Sequence, residues 1–307
     1  MTASLDKREL KRLSVRSDGR GLVQLAGHLG VLAATGAAVW ILRGSVWVAP
    51  ALLAHGVVLT FLFAPLHETI HRTAFRRRWL NVSVAWLAAV PLLLPPAYFR
   101  AFHLAHHRHT QDPRRDPELA HGKPETTGQY LWAVSGMPYW RERIATTVTQ
   151  ALGRVDAPFV TARERPWVVW EARALLAVAL GLVGTSALAG SWAVVWLWLV
   201  PALLGQPFLR AYLLAEHTGC PFVPEMWRNT RTTLSFKPVR WLAWNMPYHA
   251  EHHAYPAVPF HRLPAAHARM KANLAHVTDG YLAAQREILD GLPHAVPDRR
   301  AGEMPAE

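Results

Sequence analysis

One cysteine, Cys220, stands alone in 307 residues. A lone thiol forms no disulfide within the chain and builds no thiolate cage for zinc or an iron–sulfur cluster. It reads as a small packed side chain. There is no Gly-x-Gly-x-x-Gly loop, and so no dinucleotide fingerprint. Internal repeats and a second soluble domain are absent as well. Acidic residues are scarce, 21 against 33 Lys and Arg, for a formal net charge of +12. A nucleic-acid partner would be one reading of that charge. Yet 51% of the chain is hydrophobic, the mean hydropathy is positive, and a nucleic-acid binder has no need of long apolar runs. The composition therefore points to a membrane protein with basic flanks and no nucleic-acid role.

Residues 1–20 carry Lys7, Arg8, Lys11, Arg12, Arg16 and Arg20 and read as a basic cytoplasmic tail rather than a signal peptide. Four apolar stretches are long enough to cross a bilayer, at about 22–42, 46–66, 167–190 and 192–209. Gln24 and His28 are the only polar interruptions of the first. Leu80–Phe99 is apolar too, but Pro91, Pro95 and Pro96 break it, so it is expected to dip into the membrane and return. Residues 108–166 are polar and basic with an aromatic patch, and are expected to hold one or two helices on the headgroup layer. An amphipathic helix is expected at 271–290. Residues 1–290 read as a single domain, and the tail 291–307, rich in Pro, Ala and charge, is expected to be disordered.

Histidine is where the sequence is rich. His249, His252 and His253 have spacing i, i+3, i+4, which places three imidazoles on one helical face. His103, His106 and His107 repeat the pattern. His67 and His71 have spacing i, i+4. With His217, which follows the fourth apolar stretch, the count is nine imidazoles. One zinc takes about four ligands, so nine argue for two metal ions. All-imidazole ligation suits iron, zinc, copper or nickel; ligand number and a membrane setting favour iron, for oxygen chemistry on a lipid. Glu68, Asp112, Asp116, Glu216 and Glu251 stand beside the boxes and could accept the ligands' second N–H. His109 lies just outside its box. His28, His55, His121, His261, His267, His276 and His294 read as packed or solvated side chains.

The boxes resemble those of the membrane fatty acid desaturase superfamily: His-x-x-x-His, then His-x-x-His-His, then a distal His-x-x-His-His after two further spans. The flanks agree, with Asp112-Pro113 and Asp116-Pro117 after the second box and Asn245 through Tyr248 to Pro256 around the third. The resemblance covers about residues 22–270. It implies an integral-membrane, all-α fold, with two irons bound by His67, His71, His103, His106, His107, His249, His252 and His253. His217 matches a further histidine of the family. An Asn that some members carry four residues before it is replaced here by Leu213. Asn245 is expected either to contribute through water or to cap the third-box helix. The implied reaction is O2-dependent introduction of a double bond into a long acyl chain. A hydroxylase or carotenoid-type ketolase on the same scaffold is the alternative, and a membrane metal-binding or transport protein the next.

Positive-inside reasoning completes the expected layout. The four spans form two hairpins with short external turns, and Arg43 is the one basic residue on the far side. A helical cap holding all the boxes, and both termini, then lie in the cytoplasm. With no nucleotide, iron–sulfur or haem module in the chain, electrons are expected from a separate ferredoxin or cytochrome with its reductase. Arg76, Arg77, Arg78, Arg114 and Arg115 could steer such an acidic partner.

Overall fold

The computed structural model describes residues 5–293. His294 and nearly all of the tail expected to be disordered lie outside the described residues. The helices, in chain order, are α1 (Lys7–Leu13), α2 (Asp18–Leu42), α3 (Val48–Thr60), α4 (Phe63–His71), α5 (Arg78–Leu92), α6 (Pro96–His109), α7 (Thr127–Val134), α8 (Met137–Ala151), α9 (Arg165–Leu188), α10 (Val200–His217), α11 (Met226–Asn229), α12 (Lys237–Leu242), α13 (His249–Ala254), α14 (Leu263–Met270) and α15 (Tyr281–Asp290). Four helical stretches are long and apolar enough to cross a membrane: Asp18–Leu42, Val48–His71, Arg165–Leu188 and Val195–His217. Only 11% of the first stretch's apolar window is buried within the chain. Its outward side chains, Val23 and Ile41 among them, need a lipid cover.

Two stretches run further than expected. The second continues to His71 through a break at Phe61–Leu62, where α3 gives way to α4. Pro65 accounts for the break: it has no N–H to offer, and its ring crowds the Phe61 carbonyl. The fourth opens with a π-helical turn at Val195–Leu199 and stays helical to His217, well past residue 209. His217 is thus the last residue of a helix rather than part of a segment after it. The backbones of α3 and α10 touch. A Cβ on Gly205 would lie 2.0 Å from the Gly56 carbonyl oxygen, and one on Gly56 2.3 Å from that of Pro201. Thr60 Oγ1 closes this contact by donating to Gly205 O at 3.2 Å.

Helices α5 and α6 meet at 96°. Leu93 caps α5 in the left-handed region, and Pro96 opens α6 at its first turn. The chain is therefore sharply bent between α5 and α6, and the second box comes to lie beside the first.

The fold is mostly helical, as expected, with one short parallel pair: β1 (Arg231–Leu234) runs beside β2 (His276–Asp279), Arg231 opposite His276. The expected helix at 271–290 is accordingly broken into a 3-10 turn, β2 and the shorter α15. Val277 and Thr278 are β-branched and favour the extended form. Gly280, at φ 88°, makes a corner that side chains rarely adopt.

Candidate metal centre

Four helix segments deliver the nine histidines. His67 and His71 come from the end of α4, His103, His106 and His107 from the last two turns of α6, His217 from the last residue of α10, and His249, His252 and His253 from α13. Eight are buried, none more than 9% exposed, and His71 is half-buried. Ligand-capable atoms of His67, His71, His103, His107 and His252 all lie within 4.8 Å of one another, and so do those of His106, His217 and His253. His249 joins the smaller group through its Nε2, 3.2 Å from His217 Nε2.

The nitrogen spacings are those of a coordination shell. Two nitrogens about 2.1 Å from one ion, at angles between about 90° and 109°, lie about 3.0–3.4 Å apart. The observed Nε2–Nε2 distances are 2.9 Å for His103–His107, 3.2 Å for His106–His217 and 3.2 Å for His217–His249. Both ring nitrogens of His67 and of His252, together with His71 Nε2 and His253 Nε2, are buried without a hydrogen-bond partner. Buried polar atoms in that state are costly, and a pair of divalent ions would satisfy one nitrogen of each of these rings. The donor set fits one site of five imidazoles and a second of four.

Burial keeps the third box neutral, which ligation requires. His252 is pushed down to about 3 by burial and then by the charge of His106. His249 and His253 lie well below the ordinary range, first through burial and then through neighbouring imidazoles.

The carboxylates divide into those that reach a ligand and those that do not. Asp116 Oδ1 accepts from His106 Nδ1 at 2.9 Å, and its Oδ2 accepts from the Gln111 N–H at 2.8 Å. Burial opposes the Asp116 charge, but His106 and these hydrogen bonds hold its pKa below the usual carboxylate range. Glu216 Oε1 lies 3.4 Å from His249 Nδ1. Glu68 instead accepts from the Thr73 hydroxyl at 2.8 Å and the Phe260 N–H at 3.4 Å. Glu251 accepts from Thr232 Oγ1 at 2.5 Å and also bonds His267 Nδ1. Successive helical positions are about 100° apart, so Glu68 and Glu251 point off the faces that carry their own boxes. Asp112 faces Arg115, at 2.6 Å, and the Arg114 N–H, away from the centre. Asn245 neither caps α13 nor meets a ligand. Its backbone is left-handed, and its Nδ2 donates to Phe260 O at 3.1 Å.

Other contacts to the ligands were not foreseen. Thr110 Oγ1 is 3.1 Å from His253 Nδ1. Gln111 Nε2 donates to the His217 carbonyl at 2.9 Å, and His217 Nδ1 donates to Asn229 O at 3.3 Å. Thr110 and Gln111 directly follow the second box, so proximity was a usable signal for them; Asn229 carried none. His267 had been set aside as packed or solvated, yet it holds the glutamate of the third box. An apolar cavity adjoins the centre, with Phe61, Phe63, Leu209, Tyr212 and Met246 in its wall and His67 and Glu216 at its edge.

Comparison with known proteins agrees with this geometry. The family described as fatty acid desaturase matches residues 44–283, a stretch containing all nine histidines. An sn-1 oleoyl-lipid 12-desaturase of Picosynechococcus sp. is 28% identical over 275 residues, 83% of this chain and 76% of the relative. The corresponding enzyme of Arthrospira platensis is 26% identical over 255 residues, 77% and 69% of the two chains. A sphingolipid delta(4)-desaturase/C4-monooxygenase of Homo sapiens is 28% identical over 244 residues, 74% and 68% of the two chains. With a family match over most of its length and the histidines gathered as two ligand groups, the chain belongs to the fatty acid desaturase family.

Proposed function

We propose that this protein is an O2-dependent, di-iron membrane desaturase that places a double bond in a long acyl chain of a lipid. The observation that carries the reading is the convergence of nine histidines into two ligand groups beside the apolar side chains of Phe61, Phe63, Leu209 and Met246. The five-histidine group would hold one iron and His106, His217, His249 and His253 the other. When bound, the iron pair supplies the O2 chemistry that removes hydrogen from an unactivated methylene.

The chain's own residues do the rest. Asp116 fixes the His106 ring with its proton on Nδ1, leaving Nε2 free to ligate. Asn229 does the same for His217 through its carbonyl. Phe61, Tyr212 and Leu209 line the apolar side of the centre and keep water from it. Arg76, Arg77, Arg78, Arg114 and Arg115 are exposed and would meet an acidic electron donor, a ferredoxin or cytochrome with its reductase. The centre and both termini are placed on the cytoplasmic side.

Hydroxylation is the second reading, because the human relative's name joins a desaturase with a monooxygenase. Whether a second hydrogen abstraction or oxygen transfer follows the first step turns on about 1.4 kcal/mol per tenfold in product ratio. Mass spectrometry of lipids from expressing cells grown under labelled O2 separates the two. Loss of two hydrogens without label supports desaturation. A product that carries the label and has no new alkene replaces it with hydroxylation.

A further inference from the structure

The first span carries Gln24 and His28, one helical turn apart, within its apolar stretch. Neither belongs to the metal centre, and His28 is 0% exposed. Polar side chains within a span are expensive and persist where they are bonded. Both are bonded, and both reach the same turn. Gln24 Nε2 donates to the Trp241 carbonyl at 2.7 Å. The Trp244 indole N–H donates to His28 Nδ1 at 3.3 Å. His28 Nε2, opposite, lies 3.0 Å from the Val58 carbonyl oxygen. An indole only donates, so Nδ1 accepts and the imidazole proton rests on Nε2, where Val58 O receives it.

Each end of this bridge sits on an irregularity of the backbone. In an unbroken helix Val58 O would accept from the N–H of Leu62. Here that N–H turns to Leu59 O at 3.1 Å, which frees the Val58 carbonyl inside the membrane region. At the other end, Trp244 and Asn245 are successive non-glycine residues in the left-handed region, at φ 51° and 60°. Such residues are strained and survive only where the surroundings hold them. The break precedes the first box on α4, and the turn precedes the third box on α13. The ring of His28 lies between them. Gly27 lets Trp241 lie close against the same helix, since a Cβ there would be 2.9 Å from the indole.

We propose that His28 is a positioning residue of the metal centre. By tying the break before the first box to the turn before the third, it fixes the approach of α4 to α13, while Gln24 holds the same turn from one helical turn away. The inference rests on the nine histidines being metal ligands.

The test compares the full-length wild type with His28→Phe and His28→Gln, each produced in cobalt-supplemented medium and purified in detergent. Three quantities are read: cobalt per chain, its visible ligand-field spectrum, and hydrogen exchange over residues 240–253. In His28→Phe, with helicity unchanged, exchange over that segment is expected to quicken about tenfold, cobalt content to fall and the visible band to shift. His28→Gln keeps a donor and an acceptor and is expected to recover part of each. Wild-type exchange and spectrum in His28→Phe overturn the proposal, as does equal damage in the two variants. Should His28→Phe not fold, His28→Leu, which is close in size and lacks both ring nitrogens, carries the same comparison. A wild type that takes up no cobalt sinks the metal reading, while the exchange data still decide the bridge.

Discussion

The rings of His107 and His253 stack face to face, 4.0 Å between centroids and 8° from parallel. His107 belongs to the five-histidine group and His253 to the smaller one, so this stack is a wall shared by the two sites. Iron-replete protein is expected to hold two irons per chain. His249→Ala should weaken the smaller site only. His253→Ala should cost more, because it removes a ligand and also the ring that supports His107. Metal analysis of the two variants checks the order. Full occupancy in His253→Ala would remove that residue from the ligand set.

Asp116 and Asp112 make an internal control. Both were candidates to support the ligands, and the structure gives that role to Asp116. Asp116→Asn keeps the shape but loses the charge that orders the His106 ring. It is expected to lower metal affinity about 10- to 100-fold. Asp112→Asn, which loosens a surface pair with Arg115, should change affinity less than twofold, in line with the small effects of surface pairs. Equal losses in both variants would contradict the assignment.

The third box makes the metal-free protein acid-sensitive. His252 is held near 3 in the fold, against about 6.5 for a free histidine. The unfolded chain therefore takes up its proton first as pH falls. Stability from this group is fully present above about 6.5 and is lost progressively towards 3. Between pH 6.5 and pH 5 one such residue costs ~2 kcal/mol, and His249 and His253 act in the same direction. Thermal unfolding of metal-free protein should occur at lower temperature at pH 5 than at pH 7.5. An unchanged midpoint would show that the third box is more open to water than this.

Much of the centre was legible because ligand spacing is a local property. The i, i+3, i+4 pattern of the second and third boxes survives as one face of α6 and of α13, and Pro91, Pro95 and Pro96 marked the bend between α5 and α6. The errors arose where distant contacts decide. Glu68 and Glu251 neighbour ligands in sequence, but the helical turn aims them at Phe260 and at His267. Gly280 and the pairing of Arg231 with His276 broke an expected helix, and no local pattern in 271–290 carries the position of β1. His28 looked like an ordinary packed histidine, since its partners lie 30 and 216 residues away.

The same bend underlies the expected membrane sidedness. Helices α5 and α6 meet at 96°, and α6 brings His103 and His107 to ring distances of 4.4 and 4.7 Å from His67 and His71 on α4. Were α5 and α6 one straight crossing, those rings would sit on opposite faces of the bilayer. Arg76 at the start of this unit and Arg114 beyond its end are therefore expected on the same, cytoplasmic side, and Ser45, between the first two spans, on the other. Cys220 is buried, so its replacement by Ala gives a background for single cysteines at these three positions. A membrane-impermeant thiol reagent applied to right-side-out and inverted vesicles reads the side of each. Labelling of positions 76 and 114 from opposite sides would refute the re-entrant unit and the shared metal centre together. Labelling of all three from one side would keep the centre and overturn the first hairpin.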